Sequence, residues 1–174
     1  MKVLILAGGL GTRLGKLTKK VPKPMIKIGN KSVLQHIIDR LNKHGFNQII
    51  VKVHYLPDKI MQEIGDKVFY YYEPVLFSHF ETLANLKDWL EEEDWMVING
   101  DTISEVNFTE MLAFHKPGTI TILQDEYRCA GVWIYSKEWF GNRELPIRPY
   151  RPKFVWWDIG LPERLEAARK HFEL

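Results

Sequence analysis

The amino-terminal segment MKVLILAGGLGTRL (residues 1–14) joins a continuous apolar run to a glycine-rich turn that carries an arginine. The run from Val3 to Ala7 is typical of a strand that is covered on both faces of a parallel sheet. Glycines directly after such a strand let backbone N–H groups approach an anion closely, and Arg13 adds a permanent positive charge. The segment therefore predicts a phosphate-binding loop, a description that several kinds of loop share.

The composition is that of an ordinary globular protein. The 174 residues are enough for one domain, with 45% hydrophobic and 26% charged residues. A formal net charge of +2 gives no general field for a polyanion, so we expect no nucleic-acid partner. No apolar run approaches the roughly 20 residues that a membrane helix needs, so we expect no membrane span. The single cysteine, Cys129, suits a reducing compartment and favours a cytoplasmic protein.

Short β-branched or aromatic runs alternate along the chain with segments of helical period. The clearest helix is SVLQHIIDRLNKHG (32–45), with Ser32 as the predicted N-cap and Gly45 as the stop. This alternation favours an α/β fold with a mostly parallel central sheet flanked by helices. The predicted strands are residues 3–7, 48–53, 67–72, 95–99, 119–124 and 130–135, and the predicted helices are 32–45, 57–65, 81–93, 108–116 and 162–172.

Two common phosphate-binding templates fail on the first loop. The dinucleotide pattern G-x-G-x-x-G meets Leu14 where its third glycine allows close helix packing. The Walker pattern, aligned on the Gly-Lys pair at 15–16, needs a glycine at Leu10 and a hydroxyl at Leu17. What remains is A-G-G-x-G-T-R-L, followed by P-K-P at residues 22–24.

The remaining arrangement suits a nucleoside triphosphate. Arg13 offers a planar charged fork for phosphate, and Lys23 offers a compact charge held between two prolines. A lone glycine-rich loop could equally form only a tight turn, with solvated cations beside it. Two cationic elements in this order at the start of the chain favour the triphosphate site.

Residues 2–41 resemble the amino-terminal signature of the sugar-phosphate nucleotidyltransferases, also called nucleotide-sugar pyrophosphorylases. The motifs LAGGLGTRL (6–14), T-x-x-x-PKPM (18–25) and VLQHIIDRL (33–41) stand in the family's order and spacing. The resemblance implies a Rossmann-like, GT-A-like nucleotidyltransferase fold over residues 1–174 as a single domain. It also implies an enzyme that joins a nucleoside triphosphate to a sugar 1-phosphate, forming a nucleotide-activated sugar and releasing pyrophosphate.

The same resemblance assigns roles to individual residues. Arg13 would balance charge at the reacting phosphorus, and Lys23 would contact phosphate; both are expected to be catalytic. The expected acceptor-binding residues are Lys23 and Gly131, the latter in AGVWIY, which resembles the family strand around the sugar. The expected nucleotide-binding residues are Leu6, Ala7, Gly8, Gly9, Gly11, Thr12, Arg13 and Gly100.

Two aspartates are candidate metal ligands. VINGD places Asp101 just after a predicted strand, and WWDIGLPERL places Asp158 just before a helix that begins with proline. Either aspartate alone would ordinarily be read as a turn or cap residue. The resemblance implies that both hold Mg²⁺, the expected cofactor.

The acceptor side departs from the family pattern. The acceptor-binding region, about residues 103–157, is shorter than is common in the family. The family's E-K-P strand, whose lysine binds the sugar phosphate, has no counterpart in this sequence. Arg128, Lys153 or another cation of RELPIRPYRPK (143–153) is a candidate replacement. That segment is predicted to be an extended loop over the sheet edge, and ordinary solvated surface is its alternative interpretation. Lys52 stands where the family has an asparagine.

Three functions stay open at this point. The first is transfer to a sugar 1-phosphate, and the second is transfer to a phosphorylated amino alcohol or other small non-sugar phosphate, which a reduced pocket would favour. The third is a non-catalytic nucleotide-binding subunit, against which the retained Arg13, Lys23, Asp101 and Asp158 argue. The sequence does not select the base or the acceptor, and it is compatible with a homo-oligomer.

Overall fold

The computed structural model describes residues 1–172, which form an α/β sandwich around a seven-stranded sheet. The strands are β1 Lys2–Leu6, β2 Lys27–Ile28, β3 Lys31–Ser32, β4 Gln48–Val53, β5 Phe69–Tyr72, β6 Trp95–Asn99, β7 Thr102–Ser104, β8 Ile120–Gln124, β9 Cys129–Tyr135, β10 Ile147–Tyr150 and β11 Trp156–Asp158. The helices are α1 Val33–Lys43, α2 Pro57–Ile64, α3 His79–Asn85, α4 Lys87–Leu90, α5 Phe108–Phe114 and α6 Pro162–Phe172. Short 3₁₀ segments cover Thr12–Lys19, Lys23–Met25, Gly65–Lys67 and Lys137–Phe140.

The central sheet has the strand order β10-β8-β9-β6-β1-β4-β5. Strand β1 pairs in parallel with β4 and β6, β4 pairs in parallel with β5, and β8 pairs in parallel with β10. Strand β9 runs antiparallel to both of its neighbours. The predicted fold, a mostly parallel sheet flanked by helices, is confirmed, with β9 as its one antiparallel strand among residues 1–172.

Both faces of β1 are buried, as its continuous apolar run predicts. Val3 and Ile5 pack into a core with α1, α2, α5 and α6. Leu4, between them, packs into a second core with Leu83 and Trp95 on the opposite face. Successive strand residues point to opposite faces, so an uninterrupted apolar strand needs cover on both. This burial fixes β1, and with it the position at which the following glycine-rich turn leaves the sheet.

The helix signals in the sequence are confirmed for α1 and only partly for residues 81–93. The Ser32 side chain accepts a hydrogen bond from the Gln35 backbone N–H at 3.3 Å, and Gly45 follows the helix with φ 81°. The second segment is not one helix, because Leu86, at φ −98° and ψ 13°, separates α3 from α4.

The prediction of an extended loop over residues 143–153 is wrong for its middle part, which forms β10. Pro149 lies within this strand and has no N–H to donate. Strand β10 is an edge strand of the central sheet, and a proline is tolerated there because one side of the strand is unpaired. Among residues 1–172, no helix is both long enough and apolar enough to cross a bilayer.

Candidate active site

The glycine-rich turn after β1 is held in one conformation by contacts around Gly11. Gly11 has φ 65° and ψ 24°, and its carbonyl accepts a hydrogen bond from the Thr18 hydroxyl at 2.9 Å. A Cβ atom at Gly11 would lie 2.8 Å from Thr18 Cγ2. The Tyr55 hydroxyl donates to the Thr18 carbonyl at 3.0 Å. A side chain at position 11 would therefore be both strained and too close, which explains the glycine.

Two other glycines predicted to bind nucleotide serve close packing at the sheet edge. A Cβ atom at Gly8 would lie 3.1 Å from His54 Cβ and 3.2 Å from Lys52 Cε. At Gly100 it would lie 2.8 Å from the Leu6 carbonyl oxygen. Glycine at both positions lets the loop lie directly on the ends of β1, β4 and β6.

Arg13, Lys23 and Asp158 converge on one point beside Gly160. A Cβ atom on Gly160 would lie 2.6 Å from Asp158 Oδ1, 3.1 Å from Arg13 Nη2 and 3.3 Å from Lys23 Nζ. The Lys23 side chain is only 9% exposed and forms an ion pair with Asp101. The structure therefore brings together the two cations and two aspartates that the sequence predicted, although they come from three distant parts of the chain.

The two aspartates are neighbours because short strands pair behind them. Strand β11 pairs antiparallel with β7 in a register that places Asp158 opposite Thr102. The Ile159 N–H donates to the Asp101 carbonyl at 3.1 Å and closes this connection. Asp158 also accepts hydrogen bonds from the Gly160 N–H at 2.6 Å and from Arg164 Nη1 at 2.5 Å. Each carboxylate thus has a cation beside it, Lys23 for Asp101 and Arg164 for Asp158.

Two adjoining cavities open onto this cluster and share Gly9, Lys23 and Asp101. The first is about 380 Å³ and is lined by Gly9, Leu10, Gly11, Thr12, Arg13, Lys23, Leu76, Asp101 and Gly160. The second is about 160 Å³ and is lined by Leu6, Ala7, Gly9, Lys23, Pro24, Asn99 and Asp101. Together they contain most of the predicted nucleotide-binding residues.

A larger cavity of about 650 Å³ lies away from the aspartates, between Leu17, Met25 and Arg169. Its one carboxylate, Glu63, is paired with Lys27 at 2.6 Å. We assign the active site to the smaller cavities, since they hold the converging cations and carboxylates that phosphate chemistry requires.

Sequence reasoning gave no role to several residues of this cluster. Leu76 and Asn99 line the cavities, Gly160 leaves room for the charged groups, and Arg164 pairs with Asp158. Arg164 could have been suspected from its place in the first turn of the predicted helix after Asp158. Leu76 lies in a connecting segment, and no local pattern in the sequence marks it.

Gly131, the other predicted acceptor-binding residue, lies beside Asn99 and is not itself part of the lining of the second cavity. It has φ 71°, and a Cβ atom on it would lie 2.9 Å from Asn99 Nδ2. Asn99 itself lines that cavity. Glycine at position 131 therefore lets the Asn99 side chain lie flat at the cavity wall.

A buried ion pair lies beneath the glycine-rich turn. Lys52 Nζ is 2.8 Å from Glu73 Oε2, and the Glu73 side chain is fully buried. The Thr82 hydroxyl donates to Glu73 Oε1 at 2.5 Å, and the Phe77 N–H donates to Oε2 at 3.3 Å. This network joins the end of β4 to the segment that carries Leu76, so it connects the floor of the turn to one wall of the first cavity.

Removing the Glu73 charge is expected to destabilise the fold strongly. Glu73→Gln leaves the Lys52 ammonium buried without its counter-charge, for which we expect a loss of about 3–5 kcal/mol in the free energy of unfolding. The matched control is Glu63→Gln on the surface pair with Lys27, where a loss below about 1 kcal/mol is expected. Urea titrations of both variants measure this, and equal small losses would contradict the role of Glu73.

His79 is expected to make the stability of the fold depend on pH. Burial, and secondarily the nearby Lys52 charge, lower the pKa of His79 to about 4, and its Nε2 lies 3.2 Å from the Tyr135 hydroxyl. Between pH 6.5 and 4 the unfolded chain binds this proton more readily, so stability falls as pH falls. From pH 7 to pH 5 we expect His79 to contribute a loss of about 2 kcal/mol. Urea titrations at both pH values should show this loss in the wild type, and an equal loss in His79→Gln would contradict it.

Comparison with known proteins identifies the family of this site. Residues 2–141 match the family model described as nucleotidyl transferase. The chain belongs to the nucleotidyl transferase family. The matched range contains the glycine-rich turn, Arg13, Lys23 and Asp101, while Asp158 lies beyond it.

Curated relatives of this nucleotidyl transferase chain include mannose-1-phosphate guanylyltransferases. The catalytic subunit beta of Dictyostelium discoideum is 37% identical over 151 residues, which cover 79% of this chain and 42% of the relative. The mannose-1-phosphate guanyltransferase of Saccharomyces cerevisiae is 33% identical over 171 residues, which cover 82% of this chain and 47% of the relative. The chain spans less than half the length of these relatives.

Solved structures confirm the nucleotidyltransferase fold over nearly the whole chain. HddC from Yersinia pseudotuberculosis aligns with a TM-score of 0.84 at 22% identity, covering 98% of this chain and 99% of that one. A UDP-glucose pyrophosphorylase from Acinetobacter baumanii aligns with a TM-score of 0.82 at 12% identity, covering 98% and 92%. At these identities the likeness shows the fold.

Proposed function

We propose that this chain transfers a nucleoside monophosphate from a nucleoside triphosphate to a sugar 1-phosphate and releases pyrophosphate. The observation that carries the proposal is the convergence of Arg13, Lys23 and Asp158 around Gly160, with Asp101 paired to Lys23. The two cations and two carboxylates lie beside the glycine-rich turn and a cavity of about 380 Å³. Such a site can bind two phosphate groups close together and offset their negative charge.

GTP and mannose 1-phosphate are the first substrate pair to test. The Dictyostelium and yeast relatives bear the names of mannose-1-phosphate guanylyltransferases. A second structure of HddC is described as complexed with GMP-PN, so a fold of this kind holds a guanine nucleotide in that protein. These names support guanine and mannose as starting points for this chain.

The chemistry requires positioning and charge neutralisation. An acceptor phosphate oxygen attacks the α-phosphorus, a new P–O bond forms, and the bond from the α-phosphorus to the bridging oxygen breaks in line as pyrophosphate leaves. Two anions must approach each other, so Arg13 and Lys23 offset the charge at the reacting group. Backbone N–H groups of the glycine-rich turn would provide hydrogen-bond donors for the departing phosphates.

Mg²⁺ is the proposed cofactor, held by Asp101 and Asp158. Carboxylate oxygens are ligands that Mg²⁺ prefers, and it ordinarily completes its shell with waters and substrate phosphates. When bound, the ion would supply charge neutralisation to the phosphate oxygens, while Lys23 and Arg164 keep the two carboxylates in place.

A pyrophosphate-release screen tests the proposed function. The four common nucleoside triphosphates are combined with Mg²⁺ and with mannose 1-phosphate, glucose 1-phosphate, phosphocholine and phosphoethanolamine. Turnover with a sugar 1-phosphate supports the proposal. Turnover with only an amino-alcohol phosphate would replace it with the small-acceptor alternative, and nucleotide binding without turnover would favour a non-catalytic subunit.

A further inference from the structure

The turn between β8 and β9, residues 125–128, lies at the same edge of the sheet as the active site. Strand β9 runs antiparallel to β6, so its first residues lie near Asn99, where β6 ends. The turn is tied to β11 by the Trp156 indole N–H, which donates to Asp125 Oδ2 at 3.0 Å. Trp156 and Asp158 lie two residues apart on β11, so they share a face of this strand at a spacing of about 7 Å.

Arg128 is held above Trp156 by this turn. Its guanidinium carbon lies 4.4 Å from the centre of the Trp156 ring. Asp125 Oδ1 accepts hydrogen bonds from the backbone N–H groups of Tyr127 and Arg128, both at 2.8 Å, which fixes the turn. A guanidinium stacked on an aromatic face keeps its in-plane N–H donors available for an anion.

The Arg128 guanidinium has unused donors. The Arg128 side chain is 47% exposed, and its contact with a carboxylate is a distant one, 3.9 Å from Nε to Asp125 Oδ2. Within residues 1–172, its guanidinium makes no hydrogen bond to a protein acceptor. A cation that is positioned by stacking and left with free donors is suited to bind an anionic ligand.

Three other arginines, Arg148, Arg151 and Arg164, already have hydrogen-bond or ion-pair partners in the protein. Arg148 donates to the Phe114 carbonyl at 2.6 Å and lies over the Phe114 ring, on α5. Arg151 donates to Gln124 Oε1 at 3.0 Å, and Arg164 pairs with Asp158. The sequence had offered Arg128 alongside the cations of residues 143–153, and the contacts favour Arg128 over Arg148 and Arg151.

We propose that Arg128, stacked on Trp156, recognises the phosphate of the acceptor substrate. This inference rests on the proposed function, because it assumes a phosphorylated acceptor that approaches Asp158. Arg13 and Lys23 line the first cavity, where we propose that the nucleotide binds. Arg128 would supply a third cation, which Trp156 holds on the strand face that it shares with Asp158. It acts on one substrate, so its loss affects that substrate alone.

The test is Arg128→Gln, with separate measurement of KM for nucleotide and acceptor. GTP and mannose 1-phosphate are the first probes, replaced by the pair with the highest kcat/KM in the screen. Removing a charge-assisted contact is expected to raise the acceptor KM by roughly 10- to 100-fold and to leave the nucleotide KM within about twofold. Arg128→Lys retains the charge without the planar fork and should recover part of the loss.

Arg151→Gln and Lys153→Gln are the matched controls from the neighbouring segment, and neither should change the acceptor KM. A thermal melt of each variant checks the fold. Turnover by the wild type together with an unchanged acceptor KM in Arg128→Gln overturns the inference and leaves the proposed function standing. Absence of turnover by the wild type with every acceptor overturns the proposed function and this inference with it.

Discussion

Asp101→Asn and Asp158→Asn are each expected to lower Mg²⁺-dependent pyrophosphate release by roughly 10³-fold or more. The amide keeps the size of the side chain but is a much poorer ligand for a hard cation than the carboxylate. Charge stabilisation by a bound metal contributes several kcal/mol, and each 1.4 kcal/mol corresponds to about a factor of ten in rate. Initial rates across a Mg²⁺ titration measure the loss.

The two variants differ in what they do to their neighbours, which separates the metal role from a structural one. Asp101→Asn removes the partner of Lys23, whose side chain is only 9% exposed, so some loss of stability is expected as well. Asp158→Asn removes the partner of Arg164, whose side chain is 36% exposed, so a smaller loss is expected. Asp39→Asn, on the surface pair with Lys31, is the control. Full activity in both site variants would remove the metal assignment.

Most of the fold was predictable because its long elements carry local signals. The apolar run of β1 and the capped, amphipathic α1 were predicted correctly. Strands β7 and β11 are only three residues each, which is too short for a periodic pattern. Their pairing joins segments about 50 residues apart, and it depends on tertiary contacts rather than on local propensity.

The residues of the candidate site likewise fall into two groups, those that belong to local sequence motifs and those that only tertiary contacts single out. Arg13 and Lys23 were found because they belong to compact motifs near the start of the chain. Arg128 was one candidate among several, since a sequence does not show which cation an aromatic ring will hold. Its selection over Arg148 required the contacts with Trp156 and Phe114. Local motifs thus indicated the cations of the candidate site, whereas the choice of Arg128 as the proposed acceptor residue depends on tertiary contacts.

Arg13→Ala is expected to lower turnover by roughly 10²- to 10³-fold, the loss typical when one preorganised stabiliser of developing charge is removed. Arg13 Nη2 lies close to the positions of Lys23 Nζ and Asp158 around Gly160, which is where we propose that the two phosphates meet. If Arg13 acts mainly on the transition state, kcat should fall while the KM of the nucleotide changes little. Steady-state rates over a range of nucleotide concentrations separate the two parameters.

Lys16→Ala is the matched control, because Lys16 is a nearby cation just after the kink at Gly15, is exposed, and lies outside the two site cavities. Its removal should leave kcat within about twofold, since a solvated charge outside the site contributes little. A parallel loss in both variants would point to a general effect of positive charge on anion attraction, which high salt would weaken. A loss of kcat that is confined to Arg13→Ala and insensitive to salt would instead support a role of Arg13 at the reacting phosphates. A kcat of Arg13→Ala within a few-fold of the wild-type value would contradict that role.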